Sequence, residues 1–312
     1  MKKIVMILLL LNCIMVTAQD FKKTGTAGFT FLQIPITART ASLGEASVAL
    51  ADNEAASLFI NPAGLSFGTQ SQSFSATYGT WFADIKQYAS SYSISGAFGT
   101  FAVGAMYMDY GEMTKTKKTP GAKFYDVLGT FNSSALALSA GYSKRLTDKF
   151  SFGVSLKYVR ESIDEYNASN VVFDGGVLYY TGLRNLRIAA LIQNFGTEAK
   201  FKNDPFKMPS ILKLGLADEI LGGYGEDYRV TLIAEALHPN DGDERVNAGM
   251  EISYQEMITL RGGYKFFYDE ETYSFGFGFN PKLQVPIVLD FSMANYGRLG
   301  DLFRVSIQLG MM

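Results

Sequence analysis

The constraint that most limits this chain is a period-two alternation of apolar with small or polar residues, sustained over runs of about ten positions. Phe150, Phe152, Val154, Leu156 and Tyr158 interleave with Ser151, Gly153, Ser155, Lys157 and Val159. The pattern recurs with Val246, Ala248, Met250, Ile252 and Tyr254, with Tyr273, Phe275, Phe277 and Phe279, and with Phe303, Val305, Ile307, Leu309 and Met311. Successive strand side chains point to opposite faces, so each run makes a strand with one apolar and one wet face. After the first residues, no stretch approaches the roughly 20 apolar positions that a membrane helix needs.

A soluble β-sandwich alternates in the same way, and two features weigh against it. The runs match a tilted membrane strand, at about 9 to 11 residues, rather than the roughly 5 or 6 of soluble sheets. Their wet face mixes charge with glycine and serine, as a lumen does where strands curve or a plug comes close. Composition agrees, because only 19% of residues are charged against about 25% in soluble domains. The expected fold is therefore all-β, a transmembrane antiparallel β-barrel. A formal net charge of −2 supplies no basic field for nucleic acid.

The N-terminus reads as a secretory signal. Lys2 and Lys3 precede the apolar run from Ile4 to Val16, and Val16-Thr17-Ala18 forms the cleavage site. Residues 1–18 are expected to be removed, leaving a mature chain that begins at Gln19 and resides in a Gram-negative outer membrane. A lipoprotein reading centred on Cys13 meets the wrong preceding residue, Asn12. Cleavage removes the only cysteine and, with Lys2 and Lys3, shifts the formal charge from −2 to about −4.

Turn signals divide the remainder into about fourteen strands, near 71–80, 86–96, 99–109, 132–145, 149–161, 171–181, 185–195, 209–218, 227–237, 245–255, 257–268, 272–280, 284–295 and 301–311. An even count suits a closed bacterial barrel, with short periplasmic turns and longer external loops. Gly96 to Gly99, Leu146 to Lys149, Gly182 to Arg184 and Gln255 to Glu256 read as short turns. Gly111 to Phe131, Ser162 to Asn170 and Gly196 to Met208 read as long loops, and the gap around Gly222, Gly223 and Gly225 is longer than the rule predicts. Such a lumen is too wide for strand side chains alone to fill. Residues 19–70, which break the alternation, are therefore expected to plug the barrel formed by residues 71–312. Within the plug, Ser47 to Ala51 reads as extended, Asp52 as an N-cap, and Glu54 to Phe59 as a short helix ended by Asn61 and Pro62.

The segments Ala38-Arg39-Thr40-Ala41-Ser42-Leu43-Gly44-Glu45-Ala46, Val48-Ala49-Leu50-Ala51-Asp52-Asn53 and Asn61-Pro62-Ala63-Gly64-Leu65 resemble the N-terminal signature of the PorV/PorQ family of outer-membrane proteins. That family lies within the wider FadL-like group of fourteen-stranded barrels, whose asparagine-proline-alanine motif sits in an N-terminal plug. The resemblance implies a plug motif of Arg39, Gly44, Asp52, Asn61, Pro62, Ala63 and Gly64. Two departures stand out: Glu45 occupies a position where a small residue is expected, and Met312 replaces the usual terminal aromatic.

The residues themselves point to structure more than chemistry. Asn61 and Pro62 suit a helix stop that locks the plug to the wall. Arg39 and Glu45 are expected to pair with inward charges among Lys157, Arg229, Glu235, Glu251 and Arg261, since buried charges need partners. The only histidine, His238, precedes Pro239-Asn240-Asp241-Gly242, a turn sequence, and no HExxH, CxxC or phosphate-loop motif occurs. No enzyme, cofactor or metal is expected. Two functions remain. By its resemblance the chain is expected to act as a type IX secretion system component that binds or anchors secreted proteins through external loops. Lys115, Lys117, Lys118, Phe124 and Tyr125 would then form the partner surface, beside outer-membrane lipid and lipopolysaccharide. The alternative is a FadL-like transporter of a fatty-acid-like or other hydrophobic ligand. That role needs an apolar pocket inside the polar lumen and a strand kink or bulge beside the plug.

Overall fold

The structure, a computed structural model, describes residues 25–50, 55–119, 124–223 and 225–311. The expected signal peptide and Asp52 lie outside these residues. Fourteen antiparallel strands close into one barrel. In chain order they are β1 (Gln72–Thr80), β2 (Lys86–Gly96), β3 (Gly99–Lys118), β4 (Tyr125–Thr147), β5 (Phe150–Ile163), β6 (Tyr166–Tyr180) and β7 (Arg187–Gly196). A small two-stranded hairpin, β8 (Ala199–Lys200) and β9 (Pro205–Phe206), follows outside the wall. The wall resumes with β10 (Ile211–Leu221), β11 (Tyr228–Pro239), β12 (Arg245–Tyr254), β13 (Ile258–Phe266), β14 (Tyr273–Phe279), β15 (Ile287–Asn295) and β16 (Asp301–Met311). Pairing of Gln72–Gly79 on β1 with Arg304–Met311 on β16 closes the ring.

The alternation read from sequence is the alternation of media. On β5, Ser151, Ser155, Lys157 and Val159 are buried inside, whereas Val154, Leu156 and Tyr158 are exposed outside. Outward aromatics cluster near both ends of the wall. Tyr78, Tyr88 and Tyr107 stack along one rim, with neighbouring centroids 5.4 and 6.5 Å apart. Phe101, Tyr142 and Phe152 stack along the other, at 5.0 and 6.2 Å. Amphipathic rings favour the lipid–water boundary, so these rows bracket the apolar band.

Two expected loops are strands. β3 and β4 continue past the wall as a ribbon pairing Glu112–Lys118 with Tyr125–Asn132, where a loop from Gly111 to Phe131 was expected. The span from Ser162 to Asn170 is likewise the ends of β5 and β6 joined through Asp164 and Glu165. Beyond the membrane both faces of a strand are wet, so the alternation that marks the wall disappears there. The gap from Gly196 to Met208 is a long external connection, and it carries β8 and β9.

Residues 25–50 and 55–70 fill the lumen with short elements. A 3₁₀ turn at Thr30–Gln33 is followed by helix α1 (Ala38–Ser42), helix α2 (Ser57–Ile60) and a second 3₁₀ segment at Pro62–Phe67. Ser47 to Leu50 forms a turn, closed by Leu50 N–H donating to Ser47 O at 3.0 Å, rather than extended chain. The expected helix at Glu54 to Phe59 is shifted: Ala55 and Ala56 are its entry turn and it runs to Ile60. Helix α1 was not read from the sequence. Its signal is Thr37, whose hydroxyl accepts from Thr40 N as an N-cap.

Candidate functional site

The plug motif is a set of capping and wall contacts. Asn61 Oδ1 accepts from Ala63 N at 3.1 Å, capping the 3₁₀ segment that Pro62 opens, while Nδ2 donates to Val48 O at 2.9 Å and Val177 O at 3.4 Å. Ala63 O accepts from two wall hydroxyls, Ser151 Oγ at 2.8 Å and Ser143 Oγ at 3.2 Å. The wall makes room with glycine: a Cβ on Gly153 would lie 2.2 Å from Pro62 C, and one on Gly176 2.1 Å from Asn61 Oδ1. Asn61 and Pro62 therefore end helix α2 and lock the plug. Gly64 is buried beside Ser57. Gly44 adopts φ +63° against the β13 backbone at Tyr264, and its N–H donates to Ser274 Oγ at 3.0 Å.

Of the lumen charges expected from sequence, Glu251 and Glu235 bond the plug, Arg229 and Arg261 join it through Glu251, and one stands apart. Arg39 makes a two-pronged bond to Glu251, with Nε at 2.8 Å and Nη2 at 2.9 Å. Arg261 joins the same carboxylate at 2.8 Å and reaches Asp290 at 2.6 Å, and Arg229 lies 3.7 Å from Glu251 and 3.0 Å from Glu256. Glu235 accepts from the plug backbone at Ser47 N and Val48 N, both at 2.9 Å. Paired buried charges with satisfied hydrogen bonds fix geometry more than they add stability. Lys157 is the exception. It pairs with Asp174 on the wall at 2.7 Å and touches Asn194 Oδ1 at 2.8 Å.

Glu45 pairs with Lys265, which also holds Glu271. Neither partner was picked out in the sequence, though Lys265 has the inward parity of Arg261 and Gly263 on β13. Glu45 stands at φ +66°, a left-handed conformation that favours glycine, which explains why a small residue is expected there. Burial pushes the Glu271 carboxyl up, against the pull of Lys265.

Above this polar floor lies an apolar sector. Phe29, Phe31 and Leu32 of the plug pack on inward Met106, Met108, Ala135, Ala137, Val159 and Val172 from β3 to β6, with Met208 from the external connection. Phe206 of β9 packs on Phe29 with ring centroids 5.6 Å apart and so closes the top. A cavity of about 50 Å³ lies at the boundary, between Leu32, Ile34, Ile36 and Phe59 of the plug and Met106, Ala137, Lys157 and Gln193 of the wall. It adjoins a second cavity of about 240 Å³ bordered by Trp81, Phe82, Tyr268 and Tyr296 near the external rim. Beside the plug the β6–β7 ladder is bulged. Asp174 alone faces Gln193 and Asn194, and Asn194 takes φ +57°.

The surface residues expected to meet a partner are not one loop. Lys115, Lys117 and Lys118 lie on β3 and Tyr125 on β4, with Phe124 at the ribbon tip. Lys115 pairs with Asp164 of the next hairpin. Phe124 and Tyr125 are 85% and 57% exposed.

A closed, plugged, fourteen-stranded barrel with aromatic rims and an apolar outer band has the architecture of an outer-membrane β-barrel. Solved structures agree with this class. The chain superimposes on the toluene transporter TodX of Pseudomonas putida with TM-score 0.58 and 17% identity, over 88% of this chain and 96% of that one. The toluene transporter TbuX of Ralstonia pickettii gives 0.56 and 14%, again over 88% and 96%. A FadL homologue of Pseudomonas aeruginosa gives 0.57 and 11%, over 89% and 99%. At such identities the likeness is one of fold. No protein-family model and no curated protein matches the chain.

Proposed function

We propose that the protein carries hydrophobic small molecules across the outer membrane without chemical change, by a FadL-like route. The observation that carries this reading is the apolar sector that plug residues Phe29, Phe31 and Leu32 build with Met106, Met108, Ala137 and Val159 of the wall, inside an otherwise charged lumen and bordering a cavity of mixed lining. Solutes that need only water and charge have no use for such a sector, whereas an apolar solute gains by leaving water there. The small volume fits a closed resting state in which the plug must shift for passage. Two fold neighbours are described as toluene transporters, so toluene and a long-chain fatty acid are the substrates to try first. Uptake of both, radiolabelled, is measured in intact cells with and without the protein. Uptake above the control supports the reading, and equality for both compounds overturns it.

A second reading, a secretion-system component that binds secreted proteins, is favoured by the plug signature and by the β3–β4 ribbon with its exposed Phe124 and Tyr125. Aromatic residues flanked by charge suit a protein contact. Co-purification of secreted proteins in mild detergent tests it.

A further inference from the structure

We propose that the cavity at the external rim receives a monoaromatic carboxylate, whose ring lies against Trp81 and Tyr296 and whose carboxylate takes the two free Nη atoms of Arg304. This ligand class goes beyond the toluene and long-chain fatty acid put forward above, and binding to the purified protein tests it apart from uptake.

Arg304 is the anomaly among the buried charges. It is 2% exposed, and its Nη1 and Nη2 have no hydrogen-bond partner. Lys157, Arg187, Arg229, Arg261 and Lys265, the other buried cations among the described residues, each lie within 3.0 Å of a carboxylate. Arg304 has only Gln87 Oε1, which accepts from its Nε at 3.0 Å. The acids that border the rim cavity, Glu45 and Glu271, are both held by Lys265. A guanidinium taken out of water without a counter-ion is costly, so its idle N–H groups call for an anionic acceptor. Glycine at position 79 lets the arginine arm lie across β1, since a Cβ there would stand 2.8 Å from Arg304 Cγ.

Trp81 is shared between this charge and the cavity. The guanidinium carbon lies 5.5 Å from the centre of its ring, and the same half-buried ring borders the cavity of about 240 Å³ together with Phe82, Tyr268 and Tyr296. Trp81 packs on Phe82 at 5.0 Å and edge-on to Tyr296 at 5.1 Å, so the wall is aromatic and a flat ring joins it edge-to-face or offset. The two Nη atoms form a fork that fits the two oxygens of a carboxylate. One uncompensated positive charge selects a monoanion over a phosphate dianion. Trp81, Tyr268 and Tyr296 stand on the external connections that follow β1, β13 and β15, so the ligand enters from outside. A turn of Trp81 about its side-chain bonds then joins the cavity to the guanidinium while the wall strands stay in place.

Trp81 is the only tryptophan in the chain, so the site carries its own reporter. Purified protein in mild detergent, excited at the red edge of the tryptophan band, is titrated with sodium benzoate, with toluene and with sodium chloride at matched ionic strength. Benzoate should give a saturable change, and toluene and chloride none over the same range. Arg304→Gln removes the unpaired charge, should stay folded by heat-modifiable gel mobility, and should weaken benzoate binding about a hundredfold, as loss of two charge-assisted bonds does. Arg304→Lys keeps the charge without the fork and should weaken it about tenfold. Arg298→Gln removes an exposed cation of the same rim and should change nothing. Isothermal titration calorimetry repeats each titration without relying on Trp81. No saturable benzoate binding by the wild type in either assay, equal binding by Arg304→Gln, or toluene bound as tightly as benzoate overturns the site. Benzoate binding by a protein that brings no apolar solute into cells upholds the site and overturns the transport reading alone.

Discussion

Gly175 and Gly176 stand side by side on β6 and face different media. Gly176 points into the lumen, where an added methyl would meet Asn61 Oδ1 at 2.1 Å, whereas Gly175 points outward into open space. Gly176→Ala is expected to displace the plug motif and lower stability by about 1 to 3 kcal/mol, the range for overpacking, while Gly175→Ala stays within about 0.5 kcal/mol. Urea unfolding from phospholipid vesicles ranks the two, and equal loss would mean that Asn61 does not press on β6. On β5, Leu156 is 58% exposed to the lipid side. Leu156→Arg is expected to lower stability in the same assay by about 2 to 4 kcal/mol if the residue lies near the bilayer midplane. Parity made Leu156 legible in the sequence, because lipid on one face and lumen on the other impose a strict alternation. Parity could not say which inward glycine receives Asn61, since that depends on where a separate segment docks.

Among the elements, those whose two faces meet different surroundings were readable and the others were not. All fourteen wall strands follow the alternation, but the β3–β4 ribbon runs through water on both sides, so Thr114, Lys115, Thr116 and Lys117 carry no periodic signal. Helices α1 and α2, of five and four residues, are too short to show a helical period, and only the Asn61-Pro62 stop of α2 was visible. Their stability comes from the wall: α1 is tied through Ala38 N–H to Ser306 Oγ at 2.8 Å and through Arg39 to Glu251. The barrel's own ladders are complete without the plug. A chain lacking residues 25–66 is therefore expected to insert as a folded barrel and to conduct ions in a planar bilayer, where the intact protein stays nearly closed. Equal conductance from both would place the segment's closing role in doubt.

At the scale of the whole molecule, the two proposed functions use different parts. Transport would work through the plug and the apolar sector, both inside the wall. A secretion partner works through what projects beyond it, chiefly the β3–β4 ribbon. The ribbon adds little to the wall, because its paired segments beyond Asp109 and Ser134 have no further strand neighbour except at Ser133, and its exposed Lys115–Asp164 bridge belongs to a class worth about 0 to 1 kcal/mol. Replacing residues 112–131 by a Gly-Ser turn should therefore leave the barrel folded, with heat-modifiable mobility unchanged. On the transport reading, uptake of an apolar substrate persists in that variant and rises when Asn61 and Pro62 are replaced by alanine, because the plug that must shift for passage loses its hold on Val48 and β6. On the secretion reading the pattern reverses: capture of secreted proteins falls with the ribbon. Measuring uptake and co-purified protein on both variants separates the readings in one experiment, and uptake that falls with the ribbon but is unchanged by loss of Asn61 and Pro62 would count against the route through the plug.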